Sequence, residues 1–388
     1  MKKVIFVTLM ALLLLTGLPA GPALAQDKTS TRPDGDQPLC LPDAEMNSTD
    51  CLMLGPAGVR KAMALKGMAL PVRPLPAHSP DPELTKVDVS IAKINLEANE
   101  PAPLYRSFED ATKGENPVSF IDAGKNRYVS FVGIDYYKDK AYVLLKSGEW
   151  MRAAPTVWSK FQGLVFQSNP QNSFGWIIGD TRARTAPGYD HSELGPTLPR
   201  YTLLQIYDMQ TANKTDWYMI APGQWVERRF IRQVRVDPQR PEGVPAEVNR
   251  WVDVNLYDQT LTVYEDGKLV FATLVATGGE PFFTRPGTFQ IYKKKPLETM
   301  RGAFEADRSD FYYFEDVPYT MYFDKARALH GAYWRAFFGY QGTHGCVNLS
   351  IGDSHWLYDW ANEGDYVHVW DPSGETPTDP AFYGDGGA

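Results

Sequence analysis

Glycine and proline interrupt this chain so often, 32 and 30 times in 388 residues, that long uninterrupted helices are not open to it. Between the breaks, 21 Tyr, 19 Phe and 10 Trp supply side chains that fit a pleated, half-buried surface. The two features together predict a mainly β protein with few helices, made of short strands and many turns. The length exceeds what one hydrophobic core ordinarily organises, so two or more domains are expected.

At the N-terminus, Lys2 and Lys3 precede an apolar run from Val4 to Leu18, and Ala23-Leu24-Ala25 offers small residues ahead of Gln26. Residues 1–25 therefore read as a secretory signal peptide, and the mature protein as secreted and extracytoplasmic. The run falls short of the roughly 20 residues a spanning helix needs, so no membrane span is expected after cleavage. Removing the two lysines takes the formal charge from −8 to −10. Phosphate binding needs clustered Lys and Arg, and the one short cluster, Lys293 to Lys295, reads as a solvated turn, so nucleic acid is not an expected partner.

Three cysteines are present, in a compartment where thiols oxidise. Cys40 and Cys51 are close in sequence and far from Cys346, and are expected to form a disulfide; so short a loop would contribute about 3 kcal/mol in the chain-entropy model. Cys346 is left unpaired, which marks it as a reactive thiol.

Residues 26–88 carry Pro71, Pro74, Pro76, Pro80 and Pro82 and read as an extended proline-rich linker around the Cys40–Cys51 staple. Two similar units then follow, 89–160 and 161–236. In the first, Tyr142 to Leu145 leads to Gly148-Glu149-Trp150-Met151; in the second, Tyr218-Met219-Ile220 leads to Gly223-Gln224-Trp225-Val226. Each predicts a strand, a glycine turn and a strand opening on Trp. The pair resembles tandem bacterial Src-homology-3-like barrels; the other reading of the same pattern is one irregular β domain. Pro238, Pro241, Gly243 and Pro245 mark a linker over 237–248. From Trp251, alternation of Val252, Val254 and Leu256, then Leu261 and Val263, with Asp266-Gly267 turning into Leu269 to Phe271, predicts consecutive hairpin strands. Ser350 with Asp353 predicts a helix start, Trp356, Leu357 and Trp360 share one helical face, and Tyr366 to Trp370 reads as a last strand. Residues 372–388 read as a flexible tail.

Four of the six histidines (His330, His344, His355 and His368) lie in the last sixty residues, beside Thr343-His344-Gly345-Cys346-Val347-Asn348. A free thiol titrates near 8.5, so it needs a base or a positive neighbour to become a nucleophile at neutral pH. His330 or His344 supplies that base on sequence grounds. Gly345 frees the backbone before the nucleophile to take unusual conformations and lets nearby N–H groups approach a substrate carbonyl. His78 and His191 sit in polar or proline-rich surroundings, and His355 and His368 read as packing or solvent-facing. A metal site is not expected, because no paired C-x-x-C or H-E-x-x-H spacing occurs.

His330-Gly331, an aromatic stretch (Tyr333, Trp334, Phe337, Phe338, Gly339) and Thr343 to Asn348 resemble the signature of the L,D-transpeptidase (YkuD-type) catalytic domains. The likeness extends over 249–371, including Asp253 to Leu256, Gln259 to Val263, Pro286 to Phe289 and Val317-Pro318-Tyr319. It implies a β-sandwich catalytic domain behind the small β modules, with Cys346 as acylated nucleophile and His330 as base. It further implies that the Gly331 carbonyl orients the imidazole, that Thr343, His344, Gly345 and Asn348 shape the pocket and oxyanion hole, and that no cofactor is needed. The implied partners are peptidoglycan stem peptides, a donor tetrapeptide and an amine acceptor, with carbapenems as covalent inhibitors and the cell wall or periplasm as the location. Between Pro296 and Pro318 the resemblance implies a lid, with Met300 and Tyr319 as substrate contacts; a self-packed surface loop is the other reading. Arg335 stands where many relatives carry a further histidine. The rival functions are a non-catalytic wall-binding protein, an L,D-carboxypeptidase and a papain-like peptidase; the papain order places Cys before His, the reverse of this chain.

Overall fold

The structure, a computed structural model, describes residues 63–65, 74–156, 159–305, 307–308 and 310–384. The expected signal peptide and the Cys40–Cys51 disulfide lie outside them. The described residues form one compact unit.

Two sheets and one helix position the site. Their strands are β1 (Ala77–His78), β2 (Ser90–Lys93), β3 (Asn126–Tyr137), β4 (Leu164–Phe166), β5 (Arg250–Asn255), β6 (Thr260–Glu265), β7 (Lys268–Leu274), β8 (Gly287–Gln290), β9 (Lys293–Gly302), β10 (Tyr312–Asp324), β11 (Arg327–Gly331), β12 (Val347–Leu349) and β13 (Tyr366–Trp370). The first sheet runs β1-β4-β7-β6-β5-β13-β8, and the second has β12-β11-β10-β3-β2 as its spine, with β9 on β10. The alternation read from the sequence sets their facing surfaces: Val252, Val254, Leu261, Val263 and Phe271 of the first sheet share a core with Met321, Phe323, Leu329, Val347 and Leu349 of the second. Asp266 and Gly267 both take positive φ, the backbone a two-residue hairpin turn needs, and β6 and β7 pair antiparallel across them.

The predicted helix forms as Ile351–Trp360, here α2, behind the shorter α1 (Phe108–Lys113). Ser350 caps α2 by accepting the Asp353 N–H. The Asp353 carboxylate, fully buried, accepts from Ser350 Oγ, Thr273 Oγ1 and the Gly163 N–H. One carboxylate thus ties helix, first sheet and the 161–236 segment together.

Both Tyr-Gly-Trp hairpins form. Lys140–Leu145 pairs with Trp150–Arg152, and Thr215–Ala221 with Gln224–Glu227, with Gly148 and Gly223 at positive φ in the turns. Sheet pairing nevertheless crosses the module boundaries expected from the sequence. β3 runs parallel to β10, and β4 pairs with β7, so both units lend strands to the two large sheets. The cause is burial: Leu164, Phe166, Phe174 and Trp176 share one apolar cluster with Trp251, Leu269 and Ala272, area that separate modules would leave in water. Two further expectations need correction. The described end of the proline-rich segment is not an extended spacer, since β1 pairs with β4 and Pro82 opens a short 3-10 helix capped by Asp81. The described part of the tail is not frayed either, because Asp371 accepts from Ser373 and Thr376 and Tyr383 is buried.

Candidate active site

β11 and β12 lie side by side and parallel, with Leu329 opposite Val347, His330 opposite Asn348 and Gly331 opposite Leu349. Side chains alternate across a sheet. Leu329, Val347 and Leu349 enter the core between the sheets, whereas Ala328 and Cys346 enter a different cluster on the other face with Met300, Tyr312, Phe314 and Tyr333. His330 and Cys346 are therefore diagonal neighbours on one face, two positions out of register on adjacent strands.

His330 is 2% exposed. Its Nδ1 lies 3.2 Å from the Gly331 carbonyl oxygen, which fixes the ring and leaves Nε2 as the free nitrogen. Trp334 packs 5.7 Å from the ring. Burial first, and then the Arg335 cation, hold the imidazole down at about 4 against the opposing pull of the Gly331 carbonyl. Cys346 is 7% exposed, and burial pushes its thiol up to about 11 even though the Ala328 backbone and the Arg327 cation favour the thiolate. Its Sγ sits 3.9 Å from the Ala326 carbonyl oxygen. Near neutral pH the pair is thus an uncharged thiol and an uncharged imidazole.

The loop before Cys346 is held by its own side chains. Thr343 Oγ1 donates to the Cys346 carbonyl at 2.6 Å and accepts from the Gly345 N–H at 3.2 Å. Gly345 has φ +111°, and a Cβ there would meet Arg327 Nε at 3.0 Å. Two reasons, handedness and space, therefore require glycine. Thr284 Oγ1 donates to the Gly345 carbonyl at 2.9 Å and accepts from the Gly278 N–H at 2.8 Å. Asn348 exchanges both backbone bonds with Ala276, and its buried Oδ1 has no partner among the described residues.

The segment expected as a lid or loop is largely a long hairpin, β9 against β10. The period-2 face of Tyr312 and Phe314 turns toward Cys346 with Met300, which is why strands form where a loop was open. Phe304 at its tip stacks on His344 at 4.8 Å, and Tyr312 stacks on the same ring at 5.3 Å; burial keeps His344 below its ordinary pKa. Tyr319 borders the cluster, but its ring stacks on His355 of α2 at 4.2 Å. The structure thus assembles His330, Gly331, Thr343, His344, Gly345, Cys346, Asn348 and Met300 and turns Tyr319 toward the helix. It adds Tyr312, which the sequence reading named only as one aromatic of the 296–318 segment and whose buried hydroxyl has no partner among the described residues, and two residues that reading passed over, Thr284 and Arg327. Tyr312's alternation with Phe314 was the available signal; nothing local marks the other two. Among the described residues, no group of three or more His, Cys, Asp or Glu side chains is placed to hold a metal ion.

Residues 249–369 match the family model of the YkuD L,D-transpeptidase catalytic domain. Similar solved structures include an L,D-transpeptidase (Yku) from Stackebrandtia nassauensis, 31% identical, covering 35% of this chain and 61% of that one, with TM-score 0.27. The catalytic domain of the E. faecium L,D-transpeptidase is 25% identical over 32% of this chain and 100% of its own, with TM-score 0.29, and has also been solved acylated by ertapenem. An L,D-transpeptidase from Mycobacterium smegmatis is 17% identical over 55% and 94%, with TM-score 0.30. This chain therefore spans less than two thirds of the Stackebrandtia protein. No curated protein matches the chain. The assignment of residues 249–369 to the YkuD L,D-transpeptidase catalytic domains rests on the family model.

Proposed function

We propose that this protein is a peptidoglycan L,D-transpeptidase with Cys346 as nucleophile and His330 as general base. The observation that supports it best is the parallel register of β11 and β12, which sets both side chains on one face while Gly331 occupies His330 Nδ1. His330 Nε2 takes the thiol proton as Cys346 Sγ attacks the carbonyl of the third, diamino-acid residue of a stem tetrapeptide. Amide N–H groups around Gly345 and Cys346 receive the oxyanion. As the C–N bond breaks, the imidazolium returns its proton to the departing D-alanine amine, leaving a thioester. An acceptor-stem amine then attacks the thioester, giving a 3→3 cross-link and restoring the thiol. Water in place of the amine makes the same site an L,D-carboxypeptidase. The amide's energy is kept in the thioester, so the chemistry proceeds without a nucleotide. Met300 and Tyr312 flank the donor, and Asn348 Oδ1 is free to accept from its amide.

The reading places the mature protein outside the cytoplasm, at the cell wall. No helix among the described residues is long and apolar enough to cross a membrane. Carbapenems are expected to acylate Cys346. Incubation with a disaccharide tetrapeptide should release D-alanine and form a cross-linked dimer, and His330→Gln should slow that release by roughly 10²–10⁴-fold. Release at the wild-type rate in His330→Gln would contradict the assignment of the base.

A further inference from the structure

A cavity of about 560 Å³ opens where the 224–234 strands meet the first sheet, and none of its lining residues belongs to the cluster around Cys346. Arg228, Arg232, Tyr257 and Tyr340 line it, together with the carboxylates of Glu280, Asp371 and Glu375. Both guanidiniums are anchored by backbone carbonyls rather than carboxylates: Arg232 Nε donates to Gly339 at 2.8 Å and its Nη1 to Arg228 at 2.9 Å, while Arg228 Nη2 donates to Tyr257. Neither forms an ion pair among the described residues, and each keeps one terminal amino group uncommitted. Arg228 also lies flat on the Tyr257 ring, 3.3 Å from its centroid. Burial and the neighbouring Arg228 cation push Arg232 down to about 10, against the opposing pull of the Asp258 carboxylate, which Arg235 already engages as an ion pair. Of the lining carboxylates, Asp371 is held by Ser373 and Thr376, whereas Glu280 and Glu375 are exposed and form no ion pair among the described residues.

Three guanidiniums, Arg228, Arg232 and Arg235, thus share the one buried carboxylate of Asp258, and the two half-buried forks that it does not ion-pair can receive a second. A dianion such as phosphate would meet repulsion from the lining carboxylates, whereas a ligand carrying one carboxylate and one ammonium satisfies both the basic and the acidic lining residues. We infer that this cavity is a second binding site, for the zwitterionic end of an amino acid or short peptide, its carboxylate on Arg228 and Arg232 and its ammonium toward Glu280 and Glu375. The site is separate from the thiol and does not depend on the transpeptidase reading.

Ligand-observed NMR titration of the full chain, as wild type and as Cys346→Ala, with glycylglycine, N-acetylglycylglycine, glycylglycine amide and inorganic phosphate tests it. Glycylglycine should bind both proteins equally. Each singly charged analogue should bind at least about tenfold more weakly, the scale of one lost charged hydrogen bond, and phosphate should not compete. Arg232→Gln and Glu280→Gln should each weaken glycylglycine by a similar factor. Glu280→Gln should leave the acetylated form, which lacks the ammonium, unchanged. If Arg232→Gln fails to fold, the exposed Glu280→Gln carries the test. Absence of glycylglycine binding, equal affinity for all analogues, competition by phosphate, or indifference to both substitutions would each overturn the proposal.

Discussion

A buried imidazole held at about 4 and a buried thiol raised to about 11 make His330 and Cys346 a neutral pair over the whole physiological range. The consequence for pH dependence follows from sign. The base works only unprotonated, so acylation should stay level from pH 8 down to about 5 and fall as pH drops through about 4. Stopped-flow acylation by a carbapenem across that range checks it; a fall centred near 6.5, the unperturbed histidine value, would show a solvated imidazole instead. Burial, which raises the thiol, competes with the Arg327 cation, which lowers it. Arg327→Met should therefore slow thiol alkylation at high pH by moving the thiolate limb upward. The pH profile of iodoacetamide labelling reads that shift without requiring substrate.

Gly345 shows how the elements enforce this chemistry. An Ala there has to adopt φ +111° and crowd Arg327 Nε, a strain of about 1–3 kcal/mol. Gly345→Ala should lower the melting temperature and abolish acylation together, as thermal denaturation and adduct formation would show. Gly331 is constrained differently: an added Cβ would lie 2.6 Å from Ser354 Oγ of α2, so Gly331→Ala should push β11 from the helix and displace the carbonyl that holds His330. At this scale the sequence was most informative where periodicity and turn chemistry act locally. Val252 to Phe271, Ser350 with Asp353, and both Tyr-Gly-Trp hairpins could be read directly, and the His330 to Asn348 motif pointed to the site. Local pattern could not show that β11 and β12 are parallel neighbours, that Tyr319 stacks on His355, or that Thr284 bridges Gly278 to Gly345. Each of these depends on residues brought together over long separations.

Across the whole unit, the same limit explains the merged modules. Repeats at 89–160 and 161–236 carry hairpin signals of their own, but nothing local reveals that β3 extends the sheet of β10 or that β4 continues that of β7. Asp353 is the residue through which this merging is most directly testable. Its carboxylate serves Gly163, Thr273 and Ser350, so Asp353→Ala leaves buried donors unsatisfied at a cost of about 1–3 kcal/mol for each. One cooperative transition at a lower temperature is expected in calorimetry, with the 161–236 segment and the two large sheets unfolding together. Two separate transitions in the wild type would show instead that the modules are independent.

Cys346 as the acylated nucleophile is best tested by intact mass of the mature protein after incubation with a carbapenem, in parallel with Cys346→Ala. The expected result is one covalent adduct on the wild type, mapped to the peptide bearing Cys346, and none on the variant. A folded wild-type protein that gains no adduct, or an equal adduct on Cys346→Ala, would contradict it.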